Sequence, residues 1–140
     1  MNLDEIEYSI LEGEQDGNPV TFRCLTNPGK MKDLFPSRIS VYWPYVSSGA
    51  GLAPKEVNDL QNLFEDELEK IEIEDHGIVS LVVFGNNRKE WHWYVRDIEQ
   101  WMVLFNQHLS SHQPYPLEIE HYDEDAWKYY DAFVKWAGLA

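Results

Sequence analysis

His108 and His112 stand four residues apart. That separation puts two imidazoles on one side of a helix, as in zinc sites that carry a glutamate between them. No glutamate lies between these two, and Gln113–Pro114 follows at once; the competing reading is a pair of histidines favouring the negative end of a helix. His121, beside Glu120 and Asp123, would reach a metal only with carboxylates from distant parts of the chain. Glu118 and Glu120 alternate on one strand face. Held close, they would repel, and one pKa would rise toward the range of a general acid. Cys24 follows Arg23, which a strand turns to the opposite face, leaving the thiol as a small buried hydrophobe. Ser47–Ser48–Gly49–Ala50–Gly51 has the small residues of a phosphate-cradling loop but lacks the glycine–lysine pair of one. From these residues we expect no catalytic centre, no bound metal and no cofactor.

The stronger signal is charge. The chain has 140 residues with 25 acids against 11 lysines and arginines, a formal charge of −14. Such a charge argues against nucleic acid and against an anionic membrane surface as partners. The acids are blocked: Asp4, Glu5, Glu7, Glu12, Glu14 and Asp16 near the start; Glu56, Asp59, Glu65, Asp66, Glu67, Glu69, Glu72, Glu74 and Asp75 in the middle; Glu118, Glu120, Asp123, Glu124, Asp125 and Asp131 near the end. With 44% hydrophobic residues, 14% of the chain aromatic, a packed core is expected in spite of the charge. The single cysteine excludes a disulfide framework, and no stretch approaches the roughly 18 apolar residues of a membrane span. The start, MNLDEIEY, is too acidic for a signal peptide, so a cytoplasmic protein is expected.

Hydrophobic spacing then assigns the elements. Residues 5–11 and 19–25 read as strands joined by the turn-rich EGEQDGN, an N-terminal hairpin within residues 1–25. Residues 26–37, with two prolines and a glycine, read as an ordered loop. Residues 38–46 are a strand. Pro54 opens a helix over 54–75 whose Val57, Leu60, Phe64, Leu68 and Ile71 form an apolar stripe. The continuous apolar run 78–85 is a strand central in a sheet, turned at Asn86–Asn87 into a strand over 89–96. Asp97 with Gln100 makes a capping box for a helix bearing Ile98, Trp101, Met102, Phe105 and Leu109. A last strand spans 116–122, and Asp123 caps a final helix over 123–137.

Set aside the hairpin and the final helix, and residues 38–122 run β-α-β-β-α-β. That order predicts one α+β domain over 1–140 with a ferredoxin-like core, both core helices on one face of an antiparallel sheet. Trp43, Trp91 and Trp93 share a sheet face. Left open by the helices, that face is an aromatic patch; covered, it is core.

The strand KEWHWYV after its glycine–asparagine turn, and the ending YPLEIEHYDEDAWKYYDAF with its acidic strand, Asp and spaced Trp and Tyr, resemble a bacterial domain-of-unknown-function family, number 695 in its series. The resemblance covers roughly residues 35–136 and implies a ferredoxin-like α+β domain with no assigned reaction. More distantly, in fold and acidity alone, the chain is similar to the regulator of ribonuclease activity B, an acidic inhibitor that binds a ribonuclease.

Three functions follow as expectations. The first is a non-catalytic protein-binding domain. Glu65, Asp66, Glu69 and Glu72 on the 54–75 helix would dock a basic protein such as a nuclease or toxin, as an immunity protein or ribonuclease regulator does. The second is a small-ligand-binding or enzymatic domain with an aromatic pocket walled by Trp91, Trp93 and Tyr94 and polar groups from Glu118, Glu120 or His121. The third is a homodimer formed through exposed tryptophans.

Overall fold

The computed structural model describes residues 3–139. A 3₁₀ turn, Leu3–Glu5, leads into strands β1 (Tyr8–Gln15) and β2 (Asn18–Leu25). A one-turn helix α1 (Met31–Leu34), strand β3 (Ser37–Pro44) and helix α2 (Lys55–Ile73) follow. Next come β4 (Gly77–Gly85), β5 (Arg88–Val95), α3 (Ile98–His108), β6 (Glu118–Tyr122) and α4 (Lys128–Trp136).

The six strands form one sheet in the order β1-β2-β4-β5-β3-β6, every neighbouring pair antiparallel. Within it β4-β5-β3-β6 is the split β-α-β order expected for residues 38–122: each crossover helix carries the chain past one strand position, and the β4–β5 hairpin joins the halves. That hairpin turns on Asn86 and Asn87, both with positive φ (51° and 71°), the backbone a tight two-residue turn requires. The fold is α+β, with the N-terminal hairpin added on the β4 edge and α4 at the C-terminal end.

Helices α2 and α3 cover one sheet face. The stripe of α2 buries Phe64, Leu68 and Ile71, and α3 contributes Trp101, Leu104 and Phe105. They pack on Ile39, Val41, Trp43, Val82, Trp91, Trp93 and Val95 of the sheet. Trp43, Trp91 and Trp93 are 1–2% exposed, so the face they share is core rather than an open aromatic patch. Phe64 sits at the centre, its ring centroid 4.9 Å from Trp91 and 5.6 Å from Trp43. On the opposite face α4 and the segment before it cover Cys24, Leu25, Phe35, Ile78, Leu81 and Tyr94 with Trp127 and Tyr130. Trp127 stacks on Tyr94 at 4.0 Å and donates its indole N–H to the Phe35 carbonyl (2.8 Å). β4 is central and apolar on both faces, as its composition implies. A bulge at Ser80 lets Val79 and Val82 face α2 while Ile78 and Leu81 face α4.

Several local expectations are corrected. The first hairpin is longer than its hydrophobic pattern: β1 runs to Gln15, and the turn is only Asp16–Gly17, both at positive φ (52° and 81°). The segment 26–37 contains α1. Pro54 is the residue before α2, not its first. Asp123 does not cap the last helix. Ala126 and Trp127 take left-handed backbone (φ 48° and 66°), which delays α4 to Lys128, and Asp125 accepts the Tyr129 amide instead. Asp97 does cap α3, accepting the Gln100 amide at 2.8 Å. Gly85 (φ 126°) sits where a methyl group would lie 2.4 Å from the Pro19 carbonyl oxygen, so β2 can approach the end of β4 only over a glycine.

Candidate functional site

The hairpin extends the sheet beyond the reach of α2, so a cleft opens between that helix and the helix-side face of β1–β2. One cavity of the cleft, about 330 Å³, is lined by Tyr8, Arg23, Phe64, Glu65, Asp66, Leu68, Glu69, Glu72, Val79, Trp91 and Trp93. Residues three and four apart on a helix share a face. Glu65, Leu68, Glu69 and Glu72 therefore turn together toward the hairpin, with Asp66 at the rim. All four expected docking acids meet here, with the indoles of Trp91 and Trp93 among the wall residues.

Their environments differ. Glu65 is held from within: it accepts the Trp91 indole N–H (2.8 Å), pairs with Lys89 at 2.7 Å, and lies 3.9 Å from the Arg23 guanidinium. A second cavity, about 370 Å³, shares Arg23 and Glu65 with the first and runs on to Tyr45, Leu52, Phe84 and Lys89. Glu72 points inward and accepts the Val79 amide at 3.2 Å. Burial raises its pKa to about 7, the Val79 bond and Arg23 opposing and the negative charges of Glu69 and Glu65 adding to the rise. Tyr8 closes that end, donating to the Val79 carbonyl (2.8 Å); burial, then the charge of Glu72, drives its own pKa far upward. Asp66 and Glu69 are exposed and have no ion-pair partner among the described residues.

Other acids of α2 and of its C-cap have local partners. Asp59 pairs with Lys55 (2.8 Å), Glu67 with Lys70 and with His112 (2.8 Å), and Glu74 with His108 (2.6 Å). Thus His108 and His112 do not converge on one another; each reaches a different carboxylate across the α2–α3 contact. Among the described residues no group of three or more His, Cys, Asp or Glu is arranged to hold a metal.

The remaining candidates lie apart from the cleft. Glu118, Glu120 and His121 are exposed on the edge strand β6. Glu120 does not have the raised pKa expected of a repelling pair: the Tyr122 hydroxyl donates to it at 2.6 Å and holds it below the usual carboxylate range. Tyr94 faces α4. Cys24 is buried, and burial pushes its thiol up to about 11. The Ser47–Gly51 segment folds on itself, Ser47 Oγ bonding Gly49 and Leu52 while Tyr45 and Asn87 bind the Gly51 carbonyl.

One constellation escapes sequence reasoning. On the α4 face Ser40 Oγ lies 2.7 Å from His92 Nδ1, and His92 Nε2 lies 3.1 Å from Glu90, the partners of a hydrolase triad. Ser40 and His92 are fully buried. Arg38 donates to Ser40 Oγ at 2.6 Å and pairs with Asp125 at 3.0 Å, and the Tyr129 ring covers the imidazole at 4.6 Å. The network joins β3, β5 and the start of α4. The signal was the alternation of Glu90, His92 and Tyr94 opposite the tryptophans, but Ser40 and Arg38 enter only through the β3–β5 register.

Among the described residues no helix is long and apolar enough to cross a membrane. The model of a family of unknown function, DUF695, matches residues 16–134, from the turn of the first hairpin into α4. No curated protein and no solved structure matches the chain.

Proposed function

This chain belongs to DUF695, a family of unknown function, and from there we propose that it is a non-catalytic protein-binding domain whose α2–hairpin cleft takes the cationic side chains of a basic protein. The carrying observation is that Asp66 and Glu69 stand uncompensated at the mouth of a cleft walled by Trp91, Tyr8 and the half-buried Glu72. An ammonium or guanidinium entering there meets two free carboxylates and a third that ionises on demand. The same lysines and arginines hold phosphates in a nuclease, so occupying them would inhibit it, as a toxin immunity protein or a ribonuclease regulator does. A cytoplasmic, bacterial setting belongs to this reading. The chain's charge of −14 would speed the encounter and make its rate fall with salt.

Affinity capture tests this. The tagged chain is expected to retain a basic protein at low salt, to release it at about 0.5 M salt, where the Debye length is only a few ångströms, and to lose it in the Asp66→Lys/Glu69→Lys variant. Retention indifferent to both changes would remove the cleft from the reading.

The cleft also supports a second function, small-ligand binding. A cavity of about 330 Å³ with aromatic walls and converging polar groups is of ligand size. Its polar groups are Arg23, Glu69 and Glu72 in place of Glu118, Glu120 and His121. A homodimer through Trp43, Trp91 and Trp93 has less support, since all three are interior.

A further inference from the structure

β1 is an edge strand of the sheet. The Thr26 amide bonds the Glu7 carbonyl at 2.8 Å, and the same register pairs Tyr8 with Leu25 through Gln15 with Asn18. In an antiparallel pair the hydrogen-bonded positions alternate. With Glu7 bonded to β2, so are Ser9, Leu11, Gly13 and Gln15; Ile10, Glu12 and Glu14 therefore turn their backbone N–H and C=O away from the sheet. Long free edges are ordinarily blunted by charged side chains, lysine above all, by proline or by a bulge. β1 has eight residues, no lysine, no proline and an uninterrupted register. Its outward positions carry an exposed Ile10 and two glutamates, with Glu7 and Asp16 flanking the strand.

We propose that β1 accepts an extended basic segment of a partner protein as a seventh strand, with lysine or arginine side chains opposite Glu12 and Glu14 and an apolar side chain against Ile10. Charge selects this occupant. A second copy of the chain would bring the same glutamates and another formal charge of −14 to the edge, whereas opposite charges facing one another across strands stabilise the pair. Main-chain bonds would supply affinity and the alternate side chains specificity, the usual division in strand addition. Because the side chains of Ile10, Glu12 and Glu14 share the sheet face of Arg23, the added strand would run beside the cleft. The inference rests on the basic-partner reading and adds the conformation in which that partner binds.

The test uses the full chain and a synthetic peptide, acetyl-(Arg-Val)₄-amide, at low salt, read by amide hydrogen exchange resolved by NMR. At saturation the amides of Ile10, Glu12 and Glu14 are expected to slow at least tenfold, as newly bonded edge amides do, while those of Leu11 and Gly13, already bonded to β2, change little. The Glu12→Lys/Glu14→Lys variant is expected to weaken the peptide roughly tenfold, with its amide spectrum confirming that the hairpin is folded. Absence of binding overturns the proposal. So does binding that perturbs Trp91 and the cleft amides while β1 exchanges as before, a result that leaves the cleft reading standing. Edge protection that persists in Asp66→Lys/Glu69→Lys upholds strand addition and removes the cleft from partner binding.

Discussion

Glu72 is the cleft residue whose shifted ionisation falls near neutral pH. Its folded pKa, about 7, stands above the ordinary 4.5, so folding favours the protonated form. The resulting stabilisation is complete below pH 4.5 and is lost as pH rises through 7. Glu72→Gln keeps an oxygen to accept the Val79 amide and removes the ionisation. The variant is expected to match the parent near pH 4.5 and to exceed it at pH 8.5 by on the order of 1–3 kcal/mol in urea unfolding, a pKa unit being about 1.4 kcal/mol. An equal difference at both pH values would mean that Glu72 does not titrate as described. A cation seated between Asp66 and Glu69 reverses the preference. Carbon-13 titration of Glu72 with saturating butylammonium, the side chain of lysine, is expected to show its pKa falling, and an unchanged value places the cation elsewhere. On the other sheet face Arg38 and Asp125 form a nearly buried pair, each side chain 9% exposed. Asp125→Ala strands the guanidinium and also removes the acceptor of the Tyr94 hydroxyl. A loss of about 3–5 kcal/mol is expected, and a loss under 1 kcal/mol would show the pair to be solvated.

Helix α2 does two things at once. Its Phe64–Leu68–Ile71 stripe closes the core, and the adjoining Glu65–Glu69–Glu72 face walls the cleft. Leu68 belongs to both, so Leu68→Ala is expected to cost about 2–5 kcal/mol while enlarging the cavity, measurable by denaturation and by faster acrylamide quenching of the tryptophan emission. A cost near zero would mean that the helix packs loosely. Elements with strong local periodicity were legible: α2, α3 with its Asp97 cap, and the β4–β5 hairpin with its asparagine turn. β1 was not read to its full length because both of its faces past Leu11 are exposed, and a strand without a buried side has no alternation to display. The start of α4 was hidden because left-handed backbone at Ala126 and Trp127 is imposed by Trp127 inserting against Tyr94 and Phe35, not by any local preference of alanine or tryptophan.

At the scale of the whole molecule the formal charge of −14 opposes compaction. Salt relieves this self-repulsion, so thermal stability is expected to rise between low ionic strength and about 0.5 M sodium chloride, while any cationic partner is released over the same interval. A melting temperature that falls with salt would indicate that internal ion pairs outweigh the repulsion. From sequence alone came the α+β order, the two covering helices, the sheet face shared by three tryptophans and the acidity of α2, because each depends on residues a few positions apart. Tertiary structure decided which carboxylates remain free. Glu65 is paired with Lys89 and Arg23 from two strands, Glu67 with Lys70 and His112, and Glu74 with His108 at the end of α3, while Glu72 is buried against β4. Helical periodicity can say that these acids share a side, but their charge state depends on strand register and on how far the hairpin reaches past the helix, and those are set by contacts between segments remote in the chain.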